Sequence, residues 1–127
     1  MHVAGYMTRQ PTTISSKDTL QMACERMQAR GCRRLPVVDG GILIGILSDR
    51  DLGAHTGHLQ ETRVTAAMTE NPLTVTPASS MRDAAMQMLK YKLDSLPVVD
   101  QGELVGIVTT SDVLKAFVEG SVNVVRD

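Results

Sequence analysis

The sequence predicts an α/β protein of the α+β type, two tandem β–α–β–β–α repeats packed with pseudo-two-fold symmetry. Three observations predict it. Residues 7–54 recur at 68–115 at a constant offset of 61 with no insertion, and sixteen of the 48 aligned positions are identical. An apolar stripe of helical period follows the start of each copy, and each copy then carries two β-rich runs joined by a glycine-containing turn. A repeat of this length decides the architecture before any local reading. The whole chain, 1–127, is expected to be one module, with repeat one at about 7–63 and repeat two at about 64–120. Any cleft between such copies is lined by equivalent residues contributed twice.

Each element has its own warrant. The first strand is expected at Thr12–Ser15 and Leu73–Thr76, short extended segments after Pro11 and Pro72. The helix that follows shows Leu20, Ala23 and Met27 at i, i+3 and i+7, matched by Met81, Ala84 and Met88. Thr19 and Ser80 stand where a hydroxyl caps the first free N–H groups. Gly31 is the expected stop of the first helix; Lys92 occupies that place in the second, which is expected to end differently. Leu-Pro-Val-Val-Asp then occurs at 35–39 and at 96–100, followed by Gly40-Gly41 or Gln101-Gly102 and a second apolar run, which reads as a hairpin. Pro36 and Pro97 favour an edge or a strand start. Closing helices begin near Ser48-Asp49 and Thr109-Thr110, and the tail Ser121–Asp127 frays or extends an edge.

Composition excludes several functions. A net charge of -1 offers no attraction for nucleic acid or an anionic membrane, and two tyrosines and one phenylalanine make no stacking platform. No apolar run is long enough to span a bilayer and no signal peptide is evident, so a cytoplasmic protein is expected. Cys24 and Cys32, unmatched in the second copy, read as free thiols. His55 and His58 are spaced for a metal on a helix, but Gly57 breaks that helix, and no metal is expected. No catalytic triad or phosphate-binding glycine loop occurs, so no enzyme is expected. Met22 and Met86 are candidates for a helix-mediated dimer face.

The sharpest candidate site is Gly45-Ile46-Leu47-Ser48-x-x-Asp51, repeated as Gly106-Ile107-Val108-Thr109-x-x-Asp112. It falls where a strand gives way to a helix, with free N–H groups at the corner. A hydroxyl there donates to a phosphate or sugar oxygen, and a carboxylate one turn later accepts from two neighbouring ribose hydroxyls. A plain helix cap explains one such corner; its duplication points to ligand binding.

Met-Thr-x-x-Pro, Leu-Pro-Val-Val-Asp and Gly-h-h-Ser/Thr-x-x-Asp, each present twice, resemble a CBS-domain pair over nearly the whole chain. The resemblance implies clefts that bind adenine nucleotides (AMP, ADP or ATP) or, in some members, S-adenosylmethionine or NAD, with no cofactor required. It also implies a disc-like homodimer and an attached or partner protein that is regulated. Carried over, Asp51 and Asp112 hold ribose hydroxyls, and Ser48 and Thr109 contact ribose or phosphate. Leu73, Thr74 and Val75 surround the base held by Asp51; Thr12, Thr13 and Ile14 surround the base held by Asp112. Arg33 and Arg34, before Pro36, face phosphate, where the second copy has Asp94 and Ser95 before Pro97. Arg50 against Ser111 tilts the same way, so unequal sites are expected. A structural dimerisation module with vestigial pockets is the alternative.

Overall fold

The computed structural model describes residues 1–125, with side chains described as far as Gly120. The chain divides into two units, each assembled from separate stretches of sequence. Unit I takes Pro11–Pro72 with Gly102–Leu104; unit II takes Met1–Gln10, Leu73–Gln101 and the chain from Val105 onward.

In unit I the helix α1 (Leu20–Arg30) starts where the Thr19 hydroxyl accepts the Met22 N–H at 3.2 Å. Its buried residues are Leu20, Ala23 and Met27, the stripe expected from the period. Gly31, at φ 65°, ends it in the left-handed conformation. Strands β2 (Arg34–Asp39) and β3 (Ile42–Ser48) pair antiparallel around Gly40-Gly41, whose φ values of 59° and 84° are those of a type I′ turn. The short β4 (Thr69–Glu70) lies on the other side of β3, and α2 (Asp49–Gly53) continues from its end. A 3₁₀ turn at Val64–Ala66 delivers Val64 into a core with Ile14, Leu20, Leu35, Val37 and Leu47.

Unit II repeats this plan. Here α3 (Met81–Tyr91) is capped by Ser80, whose hydroxyl accepts the Asp83 N–H at 2.9 Å, and it buries Met81, Ala84 and Met88. Strands β5 (Ser95–Asp100) and β6 (Glu103–Thr109) pair, β1 (Thr8–Arg9) adds to β6, and α4 (Thr110–Val125) follows. The 3₁₀ turn Val3–Gly5 places Val3 in a core with Val75, Leu96, Val98 and Val108.

Four details differ from expectation. The first strand of each copy shrinks to one parallel bridge, Ile14 with Val37 and Val75 with Val98. Ile14 donates to the Pro36 carbonyl at 3.1 Å and accepts from Val38 at 2.9 Å. Extending the ladder upstream would need an N–H on Pro36, which proline lacks; Pro97 stops the other copy in the same way. Lys92 ends α3 just as Gly31 ends α1, at φ 56° and with its N–H bonded to the Met88 carbonyl, so a side chain accepts left-handed backbone there. The closing helices are unequal: α2 has five residues and α4 sixteen, because Gly53 and Gly57 replace Leu114 and Val118. Finally, the tail continues α4 through Val125 instead of extending an edge; Arg126 and Asp127 lie outside the described residues.

Candidate ligand-binding corners

The strand-to-helix corner has the same construction in both units. In unit I the Ser48 backbone N–H donates to Asp51 Oδ2 at 2.7 Å, and the Asp51 N–H donates to Ser48 Oγ at 3.4 Å. Those two bonds form a capping box that opens α2. In unit II the Thr109 N–H donates to Asp112 Oδ2 at 2.8 Å, and the Thr109 hydroxyl donates to the same oxygen at 3.1 Å. All four residues are half-buried. Each carboxylate accepts through Oδ2 at the cap, which fixes its position. A carboxylate oriented in advance accepts hydroxyls without losing further side-chain entropy.

One further bond brings the preceding strand to each corner. The Asp49 N–H donates to the Arg33 carbonyl at 3.0 Å, and the Thr110 N–H donates to the Asp94 carbonyl at 3.1 Å. Arg34 stands opposite Ser48 in the β2–β3 register, and its Nη1 lies 3.4 Å from Asp49 Oδ1. Arg33 and Arg50 are exposed at this corner. Unit I therefore gathers Arg33, Arg34, Ser48, Arg50 and Asp51, and unit II gathers Asp94, Ser95, Thr109, Ser111 and Asp112.

The expected base-lining segments divide between core and surface. Ile14, Val75, Pro36 and Pro97 are buried, so their side chains belong to the two cores, and the Ile14 and Val75 N–H and carbonyl groups are taken up by the bridges to the neighbouring strand. Thr12 and Thr13 are half-buried, and Leu73 and Thr74 exposed.

Two features had not been singled out. Arg26, from α1, donates to the Thr13 carbonyl at 2.8 Å and holds the segment before the bridge. Its counterpart is Gln87, so only a comparison of the copies would have flagged it. Asp39 closes a small network: Oδ1 accepts the Ser15 hydroxyl at 3.0 Å and the Ser16 N–H at 3.1 Å, and Oδ2 accepts the Ser16 hydroxyl at 2.5 Å. In the second copy Pro77 replaces Ser16 and has neither donor. The Ser16 hydroxyl above all, then its N–H, holds the Asp39 carboxyl below its ordinary value of 3.8, against the opposing effect of burial. A carboxyl depressed on folding stabilises the protein fully above its unfolded value and loses that contribution as pH falls through the folded one. Urea unfolding below pH 3.8 tests this: the stability of the wild type and Asp39→Asn converges as the pH drops, whereas a gap independent of pH rejects it.

Other signals recede. His58 and Glu61 are an exposed pair at 3.8 Å, and among the described residues no group of three His, Cys, Asp or Glu side chains is placed to hold a metal. Cys24 and Cys32 are free, and burial pushes the Cys32 thiol up, away from the reactive thiolate. Among the described residues no helix is long and apolar enough to cross a membrane.

Comparison with known proteins finds a match to both repeats. The CBS domain family matches at residues 3–53 and 64–119. The CBS domain-containing protein YhcV of Bacillus subtilis is 36% identical over 113 residues, 87% of this chain and 81% of its own length. An inosine-5'-monophosphate dehydrogenase of Korarchaeum cryptofilum is 38% identical over 111 residues, covering 86% of this chain but only 23% of the dehydrogenase. Among solved structures, CBSX2 in complex with AMP is 31% identical, with a TM-score of 0.86 over 94% of this chain and 98% of its own. CBSX2 is a CBS-pair protein from Arabidopsis thaliana. The CBS domain pair of protein MJ0100, in complex with 5'-methylthioadenosine and S-adenosyl-L-methionine, is 27% identical, with a TM-score of 0.86 over 94% and 98%. With both repeats matched and the same fold found in these pairs, the chain belongs to the CBS domain family and carries two CBS domains in tandem.

Proposed function

We propose that this chain is a regulatory module that binds adenine nucleotides (AMP, ADP or ATP) at its hydroxyl–aspartate corners and signals by changing conformation or assembly. The observation that carries the reading is the duplicated corner, where Ser48–Asp51 and Thr109–Asp112 place a carboxylate on the same backbone N–H at 2.7 and 2.8 Å. Relatives with this fold bind AMP in one case and 5'-methylthioadenosine and S-adenosyl-L-methionine in another. The corners offer hydrogen bonds and charge, which are means of binding. The role in this reading is binding, with an adenine nucleotide as regulatory ligand. Free thiols suit a reducing cytoplasm.

Assembly as a homodimer is part of the proposal. Helices α3 and α4 pack on each other within unit II, and both leave large apolar side chains in water: Leu89 is 80% exposed and Phe117 69%. Met86, Leu114 and Val118 are each more than half exposed as well. Exposed apolar area of this kind favours a protein partner, here a second copy or the regulated protein.

Thermal unfolding with AMP, ADP, ATP, NAD and S-adenosylmethionine tests the reading. A ligand at a hundred times its Kd stabilises by about 2.7 kcal/mol, which raises the Tm by on the order of ten degrees. The expected result is such a rise with an adenine nucleotide and its loss in the Asp51→Ala, Asp112→Ala double variant. A flat response to all five compounds sinks the proposal. One observation favours a second reading, a dimerisation module with vestigial pockets: both aspartates already serve as helix caps. On that reading the double variant lowers the Tm without ligand and no compound restores it.

A further inference from the structure

Each helix of unit II carries an apolar stripe that faces away from its own core. The core side of α3 is Met81, Ala84 and Met88, and on α4 Ala116 is buried. Met86 and Leu89, three residues apart, and Leu114, Phe117 and Val118, at i, i+3 and i+4, are instead each more than half exposed. Because α3 and α4 pack on each other, the two stripes lie on neighbouring helices.

The repeat supplies a comparison within the chain. At the offset of 61 the same places in unit I hold Glu25, Gln28, Gly53, Thr56 and Gly57, all exposed and none a large apolar residue. Among the described residues, the one large apolar side chain exposed on α1 is Met22, and its equivalent on α3 is Asp83. An apolar helix face is therefore a property of unit II.

Area and charge fit a second copy as its occupant. The five side chains together expose on the order of 500 Å² of apolar surface. Two copies meeting there bury on the order of 1,000 Å², the size at which a specific interface begins. None of the five is charged, so a two-fold axis through them brings no like charges together. The exposed charges on the same helices carry both signs, Arg82, Lys90 and Lys115 with Asp83 and Glu119, as a rim that pairs with itself requires. Docking the stripe on the matching face of unit I would instead take the Glu25 carboxylate out of water against leucine and phenylalanine.

We infer that two copies of this chain pair head to head through α3 and α4 of unit II, with the helix face of unit I left outside the seam. The inference rests on the homodimer proposed above and deepens it by naming the surface and the orientation.

Sedimentation equilibrium of the full chain without added nucleotide tests the inference. Phe117→Glu and Leu89→Glu each raise the dimer Kd about a hundredfold or more, because like charges then meet in a desolvated seam. Gln28→Glu and Thr56→Glu put the same charge at the matching places of unit I and leave the Kd within about twofold. All four side chains are exposed, so the variants keep the fold, which urea unfolding verifies. Phe117→Ala adds no charge and still raises the Kd about tenfold or more. The inference is overturned if the unit I variants weaken the dimer as strongly as those of unit II. A wild type that stays monomeric at the highest concentrations sedimented removes the homodimer itself; a wild-type dimer indifferent to Phe117→Glu and Leu89→Glu removes only the head-to-head seam.

Discussion

Gly45→Ala and Gly106→Ala each lower stability by about 1–3 kcal/mol, and neither is rescued by shortening the neighbouring side chain. A Cβ on Gly45 would stand 2.7 Å from Met68 Sδ and 2.8 Å from the Thr69 carbonyl oxygen; on Gly106 it would meet Met7 Sδ at 2.7 Å and the Thr8 carbonyl at 2.9 Å. Methionine can swing aside, but the carbonyl oxygens belong to β4 and β1, which pair with β3 and β6 at those very residues. Relief therefore requires the short strands to move away and their ladder bonds to lengthen. Combining Gly45→Ala with Met68→Ala separates the two contacts. The expected result is that the double variant stays at least as unstable as Gly45→Ala, measured by urea unfolding. Recovery to wild-type stability shows instead that the thioether was the whole obstacle. Gly41, with φ 84° and open space around it, is the control, since alanine there meets backbone strain of about 1 kcal/mol and no clash.

Leu35→Ala and Leu96→Ala each cost about 2–5 kcal/mol. Both leucines are fully buried, one with Ile14, Leu20, Val37, Leu47 and Val64, the other with Val3, Val75, Val98 and Val108. Each lies on a strand packed against a helix, β2 on α1 and β5 on α3, where neighbours held by paired backbone cannot collapse into the space. Leu→Met at the same positions nearly conserves volume and costs less than about 1.5 kcal/mol. Similar losses for Ala and Met in urea unfolding show that side-chain shape and not the cavity sets the penalty.

What the sequence made legible follows the range of the interaction. The stripes Leu20, Ala23, Met27 and Met81, Ala84, Met88 were readable because helical burial repeats within two turns, and all six are buried. The hairpins were readable because a two-residue turn with positive φ calls for glycine, although Gln101 shows that one of the two places tolerates a side chain, at φ 51°. The two-residue strands β1 and β4 were not readable, since two residues carry no period. The single-residue bridge at Ile14 was hidden for another reason: the missing N–H belongs to Pro36, on a different segment. The hydroxyl–aspartate corners showed through duplication, whereas the grip of Asp39 on Ser15 and Ser16 depends on a tertiary approach that only one copy makes.

Val3 and Val64 complete the cores of units whose helices lie elsewhere in the chain: Val3 joins the core of α3, and Val64 joins that of α1. The leading segment of each repeat therefore serves the other repeat's helix. Two beads produced by simple duplication would each have kept its own leader, whereas these are interlaced. A chain cut between Gly53 and Val64 therefore parts Val64 from the core of α1 and leaves Val3 on a different piece from α3.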